Sequence, residues 1–302
     1  MIGRRLVPLL IAAGHEVTGM TRSPEKVGTL RAMGAEPVVA DALDGPAMMS
    51  AVREAHPDAV IHQLTSLPRR IDPRTIERDF VLNDRLRSEG TAILVAAAQA
   101  AGATRITAQS IAFSYAPGPP GRVHREEDPL LLGVDAPKSY RRSARSVIDL
   151  ERVVLDAAGI VLRYGYFYGP GSAISRTGSM GEDVARRRLP IVGRGGGVWS
   201  FVHVDDAARA TVAALTAGRP GVYNIVDDDP APVSQWLPAL ADALGAPRPL
   251  RVPALIARIV AGSYGVASMT RAQGASNELA RRELGWTPEH PSWRKGFRSA
   301  LG

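Results

Sequence analysis

Residues 1–22, MIGRRLVPLLIAAGHEVTGMTR, place a glycine at the head of a helical pattern. Leu6, Leu9, Leu10 and Ala13 recur at the three-to-four spacing of one buried helix face. Gly14-His15 closes that helix, and Glu16–Thr21 reads as a strand. A glycine that opens a helix, followed by a strand, is the back half of a dinucleotide-binding βαβ unit. The first strand and the earlier glycines of such a unit are missing ahead of Gly3. Arg4-Arg5 before an apolar run also imitates a secretory leader. The polar face between the apolar positions, and the pattern that follows, argue for the βαβ reading.

Outward from this stretch, strand-like runs alternate with helical patterns. Helices are expected near 24–33 and 45–55, over a longer stretch at 73–101, and near 143–158, with strands at 37–40, 59–62, 104–109 and 160–164. This alternation predicts an α/β fold, a Rossmann-like doubly wound parallel sheet with helices on both faces. The second half is richer in Pro and Gly, with loops expected at 172–189, 193–197 and 227–232 and helices near 207–217, 234–244 and 276–288. The expected division is a dinucleotide-binding domain over 1–170 and a smaller C-terminal α/β substrate lobe over 171–302. A strand and helix near 198–217 should pack back on the first domain.

The chain of 302 residues is 45% hydrophobic and 22% charged, ordinary for a globular protein with a full core. No apolar run approaches the roughly 20 residues that span a bilayer. The absence of cysteine excludes disulfides, thiolate chemistry and Cys-ligated metals, and fits a cytoplasmic location. The net charge of +7 is distributed over scattered pairs such as Arg69-Arg70 and Arg141-Arg142, with no aromatic-interleaved basic stripe. A small molecule is therefore the expected partner, rather than nucleic acid or membrane.

Arg22 follows the strand that ends at Thr21, where an Asp or Glu would select NAD; an Arg there accommodates the 2′-phosphate of NADP. Asp41 stands where a carboxylate can accept from an adenine amino group, or can cap the next helix. His203-Val204-Asp205-Asp206 suggests a metal pair or relay, but Asp205 or Asp206 at the start of an Ala-rich helix reads as an N-cap, and no metal is expected. Ser110 lacks the Gly-x-Ser-x-Gly elbow of a hydrolase nucleophile.

Nine landmarks run in order along the chain: Gly3 with its helix, VVADALD (38–44), DAVIHQLTS (58–66), EGTAILVAAAQAAG (89–102), AQSIAFSYAP (108–117), LRYGYFYGPG (162–171), WSFVHVDDAA (199–208), GVYNIVDD (221–228) and ELGWTP (283–288). In this ordered set the chain resembles the extended short-chain dehydrogenase/reductase superfamily, in its NAD-dependent epimerase/dehydratase family. The resemblance implies a strand and glycine-rich turn of about ten residues ahead of Ile2-Gly3, encoded upstream in the same reading frame. It implies NADP(H), with NAD left open, held by Gly3, Arg22, Asp41, Ala42, Gln63, Leu64, Thr65 and Tyr164. A homodimer is compatible with it.

The resemblance also exposes departures. The family's acid/base pair is Tyr-x-x-x-Lys, whose lysine lowers the tyrosine pKa for proton exchange with substrate. Aligning by Glu151 puts Ser143 and Val147 at those positions, and the family's Ser/Thr falls on Ile111, beside Ser110. Tyr140 is the expected substitute acid, with Ser110 and Ser143 as hydrogen-bond partners. Trp199 stands where sugar-nucleotide epimerases carry an Arg for diphosphate, which points to an uncharged or aromatic, non-nucleotide substrate; Trp199 as plain packing is the other reading. Tyr166 belongs to the loop that lines the substrate pocket in the family. The expectation is an atypical oxidoreductase acting on a small carbonyl or alcohol compound. The alternatives are a non-redox NADP(H)-binding regulator, or a lyase or isomerase that uses the cofactor structurally.

Overall fold

The computed structural model describes residues 1–119, 121–132 and 136–301. The first part runs α1 (Gly3–Ala12), β1 (Thr18–Thr21), α2 (Val27–Ala32), β2 (Glu36–Val39), α3 (Gly45–Ala55), β3 (Ala59–His62), α4 (Ile76–Asp79), α5 (Val81–Arg85), a π-helical turn (Leu86–Gly90), α6 (Thr91–Ala100), β4 (Arg105–Ile111), α7 (Arg141–Asp156) and β5 (Ile160–Tyr164). The remainder runs β6 (Tyr166–Tyr168), α8 (Ser179–Ala185), β7 (Ile191–Val192), β8 (Val198–Trp199), β9 (Phe201–His203), α9 (Val204–Thr216), β10 (Gly221–Ile225), β11 (Ala231–Pro232), α10 (Val233–Ala243), β12 (Arg251–Val252), α11 (Ala254–Arg271), α12 (Glu278–Leu284) and α13 (Trp293–Ser299).

The chain has the predicted α/β architecture. A parallel sheet in the order β10-β5-β4-β3 forms its centre, and β1 and β2 pair in parallel as a separate ribbon. The strand β5 is buried along its whole length because helices cover both faces of the sheet. On one side Ile2, Leu6 and Leu10 of the first helical segment join Val204 and Ala207 of α9 against Ile160 and Leu162. On the other, Val95, Ala98, Leu150 and Val154 cover Ile106, Ala108 and Val161.

The stretch expected as one helix over 73–101 is divided. Phe80 leaves helical geometry between α4 and α5, and a π-turn separates α5 from α6. Two hydroxyls serve that turn: Ser88 Oγ donates to the Asp84 carbonyl at 3.0 Å, and Thr91 Oγ1 to the Leu86 carbonyl at 3.4 Å. The second half holds three helices that the sequence pattern did not signal, α8 within the expected loop 172–189, and α11 and α13. Helix α11 is broken at Gly262, whose φ of +66° lies in the left-handed region that favours glycine.

The later segments divide between two cores. Trp199, Phe201, Trp236, Trp293 and Phe297 form an aromatic core around β8, β9, α10 and α13. Tyr223, Ala280, Leu284 and Trp286 return to the sheet and pack in the α1–α9 layer. Among the described residues no helix is long and apolar enough to cross a membrane.

Candidate active site at the carboxyl ends of the sheet

Gly3 opens α1 at its amino terminus, where unpaired N–H groups favour an anion. Arg22 is exposed just beyond β1, and its guanidinium has no acceptor among the described residues. Asp41 accepts the Leu43 N–H at 2.9 Å, and the cap of α3 is Asp44, which accepts the Ala47 N–H at 3.1 Å. The helix-capping alternative for Asp41 is thereby corrected: the carboxylate three residues on does that work. Ala42 is buried beside it and Thr65 is exposed.

Beyond β3, Gln63 Nε2 donates to Tyr164 Oη at 3.1 Å, and Tyr164 Oη also shares a 2.6 Å bond with Thr211. Burial pushes the Tyr164 phenol up to about 12, so it stays neutral. The Leu64 N–H donates to His62 Nδ1 at 3.3 Å, which leaves the proton on Nε2 to face Thr91 Oγ1 at 2.9 Å. Burial lowers the His62 pKa to about 4, with the Arg87 charge acting in the same direction.

Ser143 and Val147, where the sequence analysis sets the family's acid/base pair, are both buried. Ser143 Oγ donates to Asp84 at 3.0 Å, Ser146 Oγ to the same carboxylate at 3.3 Å, and Arg142 Nε at 2.8 Å. Val147 is buried. Ser110 Oγ donates to Glu151 at 2.6 Å, and Glu151 also receives two Arg163 bonds of 2.9 and 2.6 Å. Arg163 continues to Tyr115 Oη at 2.8 Å, which donates to Asn224 at 2.7 Å. The structure therefore places Ser110 and Ser143 in two separate buried networks, each anchored on a carboxylate.

Tyr140 lies on a short 3₁₀ turn ahead of α7, 3% exposed. Its ring stacks on Tyr264 of α11 at 4.3 Å between centroids, and its hydroxyl lies within hydrogen-bonding reach of the Tyr264 hydroxyl. Burial raises the Tyr264 pKa well above the usual phenol range, with Tyr140 and Tyr166 adding to the effect and Arg87 opposing it. A second stack runs Phe113, Tyr166, Trp199, Trp236, with successive separations of 4.3, 3.7 and 4.6 Å. Trp199 Nε1 donates to the Ser268 carbonyl at 3.1 Å, and Tyr166 Oη bonds Ser268 Oγ at 3.3 Å. Trp199 is buried, so it packs; Phe113 and Tyr166 are half-buried at the end of the row.

Phe113, Tyr264 and Arg87 were not signalled by the sequence reading. The slipped Ser/Thr site in AQSIAFSYAP could have pointed to Phe113, two residues past Ile111. Nothing local marks Tyr264.

His203, Asp206 and His290 bring ligand atoms within 4.8 Å of one another. Most of those atoms already have partners. His203 Nδ1 accepts the Asp205 N–H at 3.3 Å and thereby caps α9, a role the sequence reading gave to Asp205 or Asp206. Asp206 instead accepts the N–H groups of Glu289 and His290 at 2.8 and 3.0 Å, together with Arg209 and His290 Nδ1. These bonds tie the tail of the chain to α9.

The family model described as NAD dependent epimerase/dehydratase family matches residues 1–226. The chain belongs to this family. A Streptomyces relative described as 3-diazoavenalumate denitrifying reductase is 48% identical over 302 residues, covering 98% of this chain and 96% of its own. UDP-glucose 4-epimerase from Thermus thermophilus, solved with NAD, superposes with a TM-score of 0.75 at 23% identity, covering 100% of this chain and 94% of that one. The human epimerase family protein SDR39U1, solved with NADPH, gives 0.73 at 20% identity, covering 100% and 96%. The last two likenesses establish the fold.

Proposed function

We propose that the chain is an NADP(H)-dependent reductase that acts on a small aromatic compound and uses no general acid at the family's tyrosine position. The observation that carries this reading is the pair Ser143 and Val147. One is held by Asp84 and the other is a buried alkyl group, and Tyr140, at the head of the same helix, stacks on Tyr264. Reduction of a carbonyl develops an alkoxide and needs a proton donor. Reduction of an aryl diazo group in its diazonium form does not. A C–H bond forms with the incoming hydride, the C–N bond breaks, and dinitrogen leaves with that bonding pair. No proton moves. The Streptomyces relative, named for reductive removal of nitrogen from a diazo acid, supports this substrate class.

The bound dinucleotide supplies the hydride. The residues fit it: Arg22 offers an unpaired guanidinium for the 2′-phosphate, the α1 amino terminus at Gly3 suits the diphosphate, and Asp41 faces outward for the adenine. Ala42 and Gln63–Thr65 then flank the nucleoside portions, with Tyr164 holding Gln63 in place. Phe113, at the half-buried end of the row, presents its outer ring face to the substrate, and Tyr166, stacked between Phe113 and Trp199, backs it and offers its ring edge. Tyr140 contributes its ring rather than its proton. Ser110 and Ser143 hold the networks behind the crevice.

The test is anaerobic consumption of NADPH with an ortho-diazophenol, against a blank without protein and against aldehydes, ketones and quinones. Dinitrogen release matching NADPH loss, with no turnover of ketones, is the expected result. Ketone turnover without diazo turnover overturns the proposal. Tight NADPH binding with no consumption in any arm selects the regulator reading.

A further inference from the structure

We infer that Arg87 and Asn83 form an anion subsite that takes a carboxylate of the substrate. The inference rests on the reductase reading for the identity of the occupant, and it names a group that reading leaves open.

Arg87 sits on the π-turn, 5% exposed, and no carboxylate, carbonyl or hydroxyl among the described residues accepts from it. The acids nearest in sequence are engaged elsewhere. Asp84 holds Arg142, Ser143 and Ser146, and Glu89 pairs with Arg85 at 2.8 Å. A buried cation without a counter-ion is strongly disfavoured unless a ligand supplies the charge. One turn earlier, Asn83 is fully buried. Its Oδ1 accepts the Ser66 N–H at 3.1 Å, and this orientation leaves Nδ2 with no partner.

Residues four apart along a helical segment project to the same side, which sets these two donors toward one face of the α5–π-turn segment. A planar guanidinium with an amide N–H beside it matches the two oxygens of a carboxylate. The location suits substrate. Ser66 lies in the segment that leaves the carboxyl end of β3, and the Arg87 charge is felt by His62 at that strand end and by Tyr264 on α11. Arg87 lies near the start of the π-turn, a feature that recurs at functional sites.

The test compares two probes on the full chain without cofactor, 4-hydroxycinnamate and its primary amide, which share ring and chain and differ in charge. Thermal shift and titration read binding without any turnover, so this comparison stands or falls separately from the reductase assay. The expected wild-type result is an acid bound about 10-fold or more tighter than the amide, the worth of one charge-assisted pair. Arg87→Gln should reduce that preference to about 3-fold or less, and Arg87→Lys should keep part of it. Equal affinity for both probes, or no binding of either, overturns the inference. So does an Arg87→Gln variant that keeps the preference while losing NADPH affinity, which would assign the cation to the cofactor. Collapse of the fold in Arg87→Gln overturns it as well, because an arginine awaiting a ligand has no structural partner to lose.

Discussion

Arg163 and Arg87 are equally buried, at 4% and 5% exposure, and they live in opposite circumstances. Arg163 projects from the central strand β5 and finds an acceptor in every direction: two Glu151 oxygens, the Tyr115 hydroxyl and the Glu126 carbonyl at 3.1 Å. Arg87 projects from an irregular turn and finds none among the described residues. The contrast separates a buried charge that organises a fold from one that waits for a ligand. The first fixes where β4, α7 and β5 meet; the second makes an anion welcome at the mouth of the sheet.

The largest effect should come from breaking the satisfied member. Glu151→Ala leaves Arg163 buried and unpaired, and strands Ser110, so unfolding stability should fall by about 3–5 kcal/mol. Arg87→Met removes an unpaired charge and should change stability by less than about 1 kcal/mol, or raise it. Urea titrations of both variants check the pair. A comparable loss in both would erase the distinction.

The next effect reads the surroundings of Arg87 through pH. The folded His62 pKa is about 4 against 6.5 for the free side chain. As pH falls below 6.5 the unfolded chain takes up a proton that the folded chain refuses. The stabilisation is complete above pH 6.5 and is lost progressively as pH falls, the loss reaching about 3 kcal/mol at pH 4. His62→Gln should flatten the stability–pH profile across that window. The difference between wild type and variant isolates the imidazole, since His203 and Glu126 titrate in both. Equal slopes would place His62 in contact with water.

These contrasts were only half visible in the sequence. The sheet strands were legible because each is a short apolar run between turn signals, and Ala59–His62 and Ile160–Tyr164 lie where the pattern put them. The register of α7 was legible because Ser143, Val147, Leu150 and Glu151 recur at helical spacing and form its buried face. The partner of Ser143 was not, since Asp84 is 59 residues away and meets it only through helix packing. The π-turn arises from hydroxyl bonds of Ser88 and Thr91, which leave no trace in apolar spacing, and it concealed Arg87 inside an apparently continuous helix. Tyr264 was hidden by the break at Gly262, which interrupts the periodicity of α11.

A third arginine sharpens the comparison from the solvent side. Arg22 also has no partner among the described residues, but it is exposed to water, so its substitution should leave stability within about 0.5 kcal/mol. Its expected effect is on cofactor choice. Arg22→Ala should weaken NADPH binding by about 10- to 100-fold, the range of a charge-assisted phosphate contact, and leave NADH almost unchanged. Fluorescence titration with both dinucleotides checks this. Equal losses for the two would remove Arg22 from the 2′-phosphate.

The smallest effect is expected at Tyr140, and its smallness is the point. Tyr140→Phe keeps the ring that stacks on Tyr264 and removes only the hydroxyl beside that of Tyr264. If hydride delivery to a diazo carbon is the reaction, that hydroxyl has no proton to give. Turnover should then change by less than about 3-fold, whereas loss of a positioned general acid lowers rates by about 10²–10⁴. Tyr140→Ala, which removes the ring as well, should raise KM more than it lowers kcat, because the ring's contribution is to binding rather than to the transition state. A large fall in kcat for the Phe variant would restore Tyr140 as the acid. It would also redirect the reaction toward a carbonyl substrate, where a developing alkoxide demands a proton. An unchanged kcat leaves the acid/base position empty, and the carboxylate held at Arg87 becomes the polar handle by which the crevice orients its substrate.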